Sequence, residues 1–412
     1  MRGAMNMKRL MIWVMIALVV LFSFGSTCRI GAPAESSYFG QQTGDYWYRL
    51  DSDGKATITR YEGNTAELVI PAQLDGHPVT RIGGAAFYAH YELTHVSLQE
   101  GITEIEAKAF CFCGLLTGVT LPDSLTTIGD YAFDHSGLTS ITIPEHVTFI
   151  GESAFGCTLL TSVSIPKSVV TVKGNPFSSC SELAVIEVSQ DSVSLKAIDG
   201  VLFSTDDARL VCYPSASDRT EYIVPEHTRV IGEFAFSYVD KLTEVTISEG
   251  VSSIGRSSFN CCPSLAFLLL PASLTEIGSD MLNQCPSVVV ITPFISDAHT
   301  YCHDHNLRCV TVRNLTAEQM RLDHSPTDTI DIHGAIPAFE TELDAVQIGI
   351  AIIDELHEQS RYLDLNLRMV EHIPENGVWV YSYWADSTAL GCTLNIAVTG
   401  HDGHIVSVWT DD

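Results

Sequence analysis

Metal-ligating residue types are concentrated between His299 and Cys309, a segment that also contains Cys302, His303 and His305. If the segment is helical, Cys302 and His305 share one face, which is the arrangement that a zinc ion needs. A buried cap position for Cys302, with the histidines in solvent, accounts for the same residues without a metal. We therefore predict no metal site in this segment or elsewhere in the chain.

Two short segments approach catalytic or ion-binding motifs without fulfilling them. Gly151–Phe155 lacks the second glycine of a nucleophile elbow. Asp51–Lys55 places glycine at its fourth position, whereas a calcium loop needs glycine at the sixth, so we interpret this segment as a hairpin turn. Near the C-terminus, Glu371, His372 and Asp386 offer acid–base groups, but no spacing singles them out. The sequence predicts no catalytic residue, no cofactor and no enzymatic activity.

The first residues are typical of an export segment, because basic residues precede a nearly unbroken apolar run from Leu10 to Phe24. The run is followed by Cys28, and this arrangement resembles a bacterial lipoprotein signal whose cysteine is lipidated. Cleavage after Ala34 and retention as a signal anchor are the two alternatives. All three predict an exported protein that contacts the membrane only through its N-terminal segment.

The elements that position the remaining side chains form a repeat, in which an Ile-Gly step or a close variant recurs every 22 or 23 residues. A period this short predicts a solenoid. The step begins at Ile82, Ile105, Ile128, Ile150, Val172, Ile231, Ile254 and Ile277. Five residues later stand Phe87, Phe110, Phe133, Phe155, Phe177, Phe236, Phe259 and Leu282. A Leu-x-x-Val-x-Leu pattern then alternates as a strand does, so each coil is predicted to contribute one short strand.

This pattern resembles the BspA-like, or treponemal, leucine-rich repeats of bacterial surface proteins. The segment Leu138–Phe155 is similar to one such repeat, while Tyr61–Gly63 and Asp75–Val79 resemble the N-terminal cap and the first repeat. The resemblance covers residues 40–312 and implies a leucine-rich repeat solenoid of short parallel strands with an irregular, turn-rich other side. It also implies a protein that binds host or neighbouring-cell proteins.

The twelve cysteines would indicate disulfides in an exported protein. Four of them occupy one repeat position, three residues after the large apolar residue, and these are Cys113, Cys180, Cys262 and Cys285. Val239 and His90 fill the same position in other coils. Alternation with Val indicates an inward-facing slot in which a free thiol behaves as a small hydrophobe. A disulfide between Cys262 and Cys285 in adjacent coils is the alternative.

The period breaks twice. Between Val188 and Tyr222, two strand-like runs flank Asp206 and Asp207, which predicts a projecting hairpin. After the repeats, a short helix and a strand are predicted to cap the open end of the solenoid. The predicted organisation is a targeting segment (1–34), an N-terminal cap (35–66), repeats (67–292) with a hairpin insert at 189–221, a C-terminal cap (293–312), a linker (313–340) and a small acidic α+β domain (341–412).

The C-terminal domain is predicted to begin with a helix, because Leu343, Val346, Ile350 and Ile353 are spaced three and four residues apart. Strand-like runs follow, and this order of elements resembles the cystatin-like or NTF2-like group. The resemblance implies a small-ligand pocket, whereas the alternative is that the aromatic residues of these strands fill the core. Those aromatic residues are Trp379, Tyr381, Tyr383, Trp384 and Trp409.

The charge balance limits the partners. The chain has 22 Lys and Arg against 50 Asp and Glu, a formal net charge of −28, which repels nucleic acid and anionic lipid headgroups. We expect a non-catalytic module that binds a protein or another macromolecule at the cell surface. A solenoid that displays a C-terminal domain able to bind or hydrolyse a small ligand is the first alternative, and a simple spacer is the second.

The predicted contact surface is the row of residues that point outward between the last two apolar positions of each strand. We call it the strand-face row, and its members are Ser97, Thr120, Thr142, Ser164, Glu187, Thr246 and Leu269, with Phe267 beside the last. Most are small and hydroxylated. Phe267 and Leu269 are apolar, so we expect either the C-terminal domain or an external partner to cover them.

Overall fold

The computed structural model describes residues 40–293, 295–314, 345–350, 365–373, 378–385, 393–399 and 405–411. Across the repeats the chain winds into a solenoid whose successive coils pair through parallel strands. Within the described ranges no helix has the length and apolar character that a membrane crossing requires. The predicted leucine-rich repeat fold is confirmed, and its repeats position every surface described below.

Two ladders of short parallel strands run along the solenoid, and the strands are numbered in chain order. The Val ladder comes from the Leu-x-x-Val-x-Leu pattern and contains β4 (Glu67–Val69), β7 (His95–Ser97), β9 (Gly118–Thr120), β12 (Ser162–Ile165), β14 (Val185–Val188), β18 (Glu221–Ile223), β20 (Glu244–Thr246), β22 (Phe267–Leu269) and β24 (Val289–Pro293). The Ile ladder contains β6 (His77–Ile82), β8 (Glu104–Ile105), β10 (Thr127–Ile128), β11 (Phe149–Ile150), β13 (Thr171–Val172), β19 (Val230–Ile231), β21 (Ser253–Ile254) and β23 (Glu276–Ile277). The Ile ladder lies on the side for which the sequence predicted only irregular structure.

The prediction of one strand in every coil is wrong for the coil that contains Thr142. Residues 141–143 form no strand, so the Val ladder is interrupted between β9 and β12. The segment's apolar side chains still contribute to the core, because Ile143 is buried and Ile141 packs against the buried cluster.

The core is a column of aromatic rings, one from each coil. Phe110, Phe133 and Phe155 stack nearly parallel, with ring centroids 5.3 and 5.6 Å apart. The five-residue offset from the Ile-Gly step brings each ring above its equivalent in the previous coil. Each of these side chains is fully buried, and burying a large apolar side chain stabilises the fold by about 1.5 to 3 kcal/mol. Stacking therefore buries what one coil alone would expose.

The segment around each core phenylalanine forms a third set of contacts between coils, which we call the turn face. In the coil of Phe133 the N–H groups of Tyr131, Phe133 and His135 donate to carbonyls of the next coil over 2.7 to 2.9 Å. Tyr131 and His135 have positive φ values of 58° and 56°. This left-handed backbone is unfavourable for non-glycine residues, and the hydrogen bonds between coils offset that strain. The turn face is thus a rigid surface.

The N-terminal cap is an antiparallel sheet of β1 (Gln41–Thr43), β2 (Tyr46–Leu50) and β3 (Ala56–Tyr61), and β3 pairs with β6 to begin the Ile ladder. A two-residue strand, β5 (Gln73–Leu74), pairs with β6. The Asp51 carboxylate accepts the N–H groups of Asp53 and Lys55 at 2.9 Å each. These bonds lower the pKa of Asp51 and close the turn between β2 and β3, where the sequence predicted a hairpin turn.

The insert is an antiparallel meander of β15 (Leu195–Ile198), β16 (Val201–Ser204) and β17 (Arg209–Cys212), with Asp206 and Asp207 in the second turn. β17 then pairs in parallel with β19, so the meander returns the chain to the Ile ladder.

Beyond the repeats, α1 (Asp297–Asp304) and β25 (Cys309–Asn314) close the end of the solenoid, and residues 345–350 are helical. The antiparallel strands β26 (Leu365–Ile373), β27 (Val378–Ala385), β28 (Thr393–Thr399) and β29 (Ile405–Asp411) follow. β25 pairs in parallel with β26, which makes the sheet continuous from the Val ladder to β29.

Candidate binding surfaces

Apart from Thr142, which belongs to no strand, the strand-face row lies on the outer side of the Val ladder, and none of its side chains is buried. Pairing places Ser97 beside Thr120 and Thr246 beside Leu269. Small hydroxylated side chains on a flat sheet contribute little binding energy, because strong contacts usually come from Trp, Tyr or Arg. The structure extends the row by two exposed apolar residues, Val69 of β4 beside Ser97 and Ile223 of β18 beside Thr246, whose exposures are 63% and 70%.

Phe267 and Leu269 are half-buried and pack against a separate apolar cluster at the C-terminal end. That cluster joins Val289 and Ile291 of β24 to Ala345 and Val346 and to side chains of β26, β27 and β28. The row of apolar side chains on the Val ladder thus continues into the core of the C-terminal strands.

An aromatic row, which we define as Tyr88, Tyr91, Phe112 and His135, lies on the turn face of the first coils. Phe112 contacts Tyr88 edge to face at 5.6 Å and stacks on His135 at 4.5 Å, measured between ring centroids. Tyr88 and Tyr91 are 46% and 59% exposed. Exposed, mutually supported aromatic rings are the side chains that most often anchor a protein partner.

A groove of about 600 Å³ begins beside Tyr88, where the N-terminal cap meets the first coil. Its floor includes Tyr61 and Ala86, and Arg60, Glu62 and His90 stand on its walls. Arg60 and Glu62 form an ion pair at 3.4 Å, and His90 Nε2 lies 2.9 Å from the Tyr61 carbonyl oxygen. The groove joins charged groups to the aromatic row.

The cysteines predicted to face inward are buried, and all ten cysteines of the described residues are free thiols. Each of the four donates its S–H to a carbonyl oxygen in the previous coil, as Cys113 does to Phe87 at 3.1 Å and Cys262 to Phe236 at 2.9 Å. Burial raises the pKa of the Cys113 thiol to about 12. The alternative disulfide between Cys262 and Cys285 is not present.

A cluster of three ligand-type side chains lies next to the aromatic row. Asp134 and His135 share one coil and Cys157 belongs to the next, and one ligand atom from each lies within 4.8 Å of the others. His135 Nδ1 is 2.8 Å from Asp134 Oδ2. Burial lowers the pKa of His135, but hydrogen bonds with Asp134 and Cys157 outweigh it and raise the pKa to about 10.

The predicted metal-ligand types near α1 are dispersed. Cys302 is buried, His303 pairs with Asp304, and the His305 ring stacks on Tyr301 at 3.9 Å. Among the described residues of this segment, no three side chains of ligand type lie close enough together to hold one metal ion.

Of the five C-terminal aromatic residues named above, three are buried in the core, and the side chains of the other two lie outside the described part of the structure. Trp379, Tyr381 and Tyr383 are buried in the C-terminal cluster, so they fill core and do not line a pocket. His372 stacks on Trp379 at 4.0 Å, and burial lowers its pKa. The described part of the structure does not include the side chains of Glu371, Trp384, Asp386 and Trp409. It also leaves out Cys28, the targeting segment and most of the linker.

Neither the aromatic row nor the Asp134 cluster was predicted from the sequence. Their members stand at variable repeat positions one, two or four residues after the core phenylalanine. A search of these variable positions for aromatic and ligand-type residues in adjacent coils would find both, because equivalent positions in neighbouring coils are close in space.

Comparison with known proteins gives six copies of the BspA type leucine-rich repeat region over residues 80–207 and 212–319. A solved leucine-rich repeat protein from Eubacterium ventriosum is 24% identical, with 66% of this chain and 79% of that chain covered and a TM-score of 0.55. A leucine-rich cell surface protein from Faecalibacterium prausnitzii is 25% identical over 65% and 98% of the two chains, with a TM-score of 0.45. The pneumococcal vaccine antigen PcpA is 21% identical over 61% and 81%, with a TM-score of 0.48. No curated protein matches the chain.

Proposed function

Because the chain belongs to the BspA-type leucine-rich repeat family, we propose that it is an exported bacterial surface protein whose repeats bind another protein. Repeats of this type are typical of bacterial surface proteins, and repeat proteins of the family are generally non-enzymatic. The apolar run of residues 10–24 supports export, with Cys28 as the candidate lipidation site.

The observation that carries this proposal is the exposure of the aromatic row at one end of a rigid array. The Tyr88 ring is supported by Phe112, and the backbone N–H groups of Tyr88 and Tyr91 are hydrogen-bonded within the turn face, so little freedom is lost when a partner covers this surface. Anchors that are ordered before binding reduce the entropic cost of association. We place the centre of the contact surface here and assign the strand-face row to its periphery.

The groove beside Tyr88 supports the same location, because a protruding side chain of the partner fits a concave site next to aromatic anchors. The overall charge of −28 favours a partner with a basic contact surface. Buried Trp379, Tyr381 and Tyr383 do not support the alternative of a ligand pocket in the C-terminal strands.

The test measures binding of the full chain to a panel of immobilised host matrix proteins and bacterial surface proteins by surface plasmon resonance. Replacing both Tyr88 and Tyr91 with Ala should weaken binding by roughly 30-fold or more, since truncation of a hot spot costs about 2 kcal/mol or more.

The matched control is the double variant Thr120→Ala and Thr142→Ala, two exposed residues of the strand-face row, which should leave the affinity within about twofold. Binding that is lost in the threonine variant and kept in the tyrosine variant would move the contact surface to the strand-face row. A panel without any bound protein would contradict the proposed function itself.

A further inference from the structure

We propose that Asp134, His135 and Cys157 form a zinc-binding site on the turn face. The three side chains come from two adjacent coils, and a carboxylate oxygen, an imidazole nitrogen and a thiol sulfur lie within 4.8 Å of one another. A tetrahedral zinc ion with bonds of about 2.0 to 2.3 Å has its ligands about 3 to 4 Å apart. The cluster therefore needs only small side-chain adjustments to hold the ion.

The ligands are held in place by their neighbours. Cys111 donates its S–H to Asp134 Oδ2 at 3.8 Å, and the Phe112 ring stacks on His135. The backbone is fixed as well, since His135 N–H donates to the Gly156 carbonyl and Cys157 N–H to the Ser178 carbonyl, each at 2.9 Å. Support of this kind orients metal ligands and raises affinity.

Gly156 leaves the space that the Asp134 carboxylate occupies. A Cβ atom added at Gly156 would lie 2.5 Å from Asp134 Oδ1. The equivalent position in other coils carries a side chain, namely Tyr88, Cys111, Asp134, Ser178, Ser237, Asn260 or Asn283. In the one coil that contributes Cys157, this side chain is missing, so the Asp134 carboxylate is open toward the thiol.

The donor set selects the metal. A thiolate disfavours calcium and magnesium, which prefer oxygen ligands, whereas a thiolate, an imidazole and a carboxylate together suit zinc. Asp134, His135 and Cys157 supply three protein ligands, and His135 retains 30% side-chain exposure. Solvent therefore reaches the fourth position, where a water molecule completes the tetrahedron.

The experiment uses the full chain, stripped of metal and reduced, at pH 8, because metal binding to a thiol and an imidazole releases protons and is therefore favoured at higher pH. Cobalt(II) is the probe, because a thiolate ligand gives it a strong near-ultraviolet charge-transfer band and tetrahedral geometry gives it visible d–d bands. We expect these bands to saturate at one equivalent and to disappear when zinc is added.

Four variants make the assignment. Cys157→Ser and His135→Asn remove ligands, and Ser and Asn tolerate the left-handed backbone at these positions, as Ser179 does with a φ of 60°. Gly156→Ala keeps all three ligands and crowds the Asp134 carboxylate. Cys261→Ser is the matched control, because Cys261 occupies the same repeat position as Cys157 and is also half-buried. The preceding coil gives it Ser237 and Tyr238 in place of Asp134 and His135.

Loss of a residue that supports a metal ligand costs roughly 10- to 100-fold in metal affinity. We expect Gly156→Ala to lose cobalt affinity within that range. Cys157→Ser and His135→Asn, which each lack a ligand, should lose more. Cys261→Ser should bind as the unmodified chain does. An unmodified chain without the charge-transfer band, a band that survives in Cys157→Ser, or a band lost equally in Cys261→Ser would overturn the proposal. Failure of protein binding in the plasmon resonance test would leave this result unaffected, since neither tyrosine is a ligand.

Discussion

Phe133 lies in the middle of the aromatic column, between the rings of Phe110 and Phe155, and is fully buried. Phe133→Ala should lower the free energy of unfolding by about 3 to 5 kcal/mol, because the truncated side chain leaves a cavity that rigid neighbouring coils cannot close. Urea unfolding followed by circular dichroism measures the change. Thr142→Ala, an exposed position in the same coil, should change it by less than about 0.5 kcal/mol. Equal midpoints for the two variants would show that the repeat register is wrong.

The buried and half-buried thiols should differ in reactivity. Burial raises the pKa of Cys113 to about 12, so its reactive thiolate is scarce below that pH and becomes abundant only as the pH approaches 12. With a thiol-specific reagent at pH 8, Cys113 should react at the rate of protein opening, whereas half-buried Cys261 should react first. Mass spectrometry of the labelled peptides gives the order. Rapid modification of Cys113 in the folded protein would place it outside the core.

At the scale of the element, the Ile-Gly step requires glycine because the coils approach closely there. A Cβ atom at Gly151 would lie 2.4 Å from the Asp130 backbone nitrogen. Gly151→Ala should therefore push two coils apart and destabilise the protein by about 1 to 3 kcal/mol. Gly114→Ala is the matched control, since a Cβ there meets nothing within 4 Å. A lower urea midpoint for Gly114→Ala than for Gly151→Ala would contradict this account.

How far the sequence predicts these elements depends on what each position must satisfy. Core positions such as Phe133 and the strand containing Val96 meet the same constraint in every coil, so their periodicity predicts them. The two-residue strands of the Ile ladder coincide with the periodic Ile-Gly step, but two residues are too few to show the alternation by which a strand is predicted. The missing strand near Thr142 has no counterpart in the sequence pattern, because residues 138–143 repeat the Leu-x-x-Ile-x-Ile form of the pattern.

The candidate sites differ in the same way, because a site at periodic positions can be predicted from the sequence and a site at variable positions cannot. The strand-face row could be named from the alternation of one strand, because outward positions follow directly from inward ones. The Asp134 cluster combines Cys157 with residues 22 and 23 positions earlier, at variable places in two coils. Its recognition requires the stacking register and the left-handed backbone at His135 and Cys157, with φ values of 56° and 51°.

At the scale of the whole molecule, the solenoid and the C-terminal strands share one sheet, because β25 pairs with both β24 and β26. An apolar cluster on one side of that sheet includes Val289 and Ile291 from the last coil and Tyr381 and Tyr383 from β27. A repeat array exposes an apolar end unless another element covers it. The C-terminal strands therefore extend the repeat fold and complete its core on this face.

This arrangement predicts how the C-terminal part responds when its contact with the repeats is weakened. Replacing Phe267 and Leu269 together with Ser removes two apolar side chains that pack against the shared cluster, while the column of core phenylalanines stays intact. The C-terminal strands should then separate from the solenoid more often than in the unmodified chain, because less apolar surface is buried in the joined state. Cleavage by a Glu-specific protease between Asn314 and Glu340 should increase, as measured by mass spectrometry of the fragments, without a change in the unfolding of the repeats.

The control is Ile223→Ser, which makes the same kind of change in the same row at a position 70% exposed and outside the cluster. If the double variant were cut no faster than the Ile223→Ser protein, Phe267 and Leu269 would have no part in holding the C-terminal strands to the repeats.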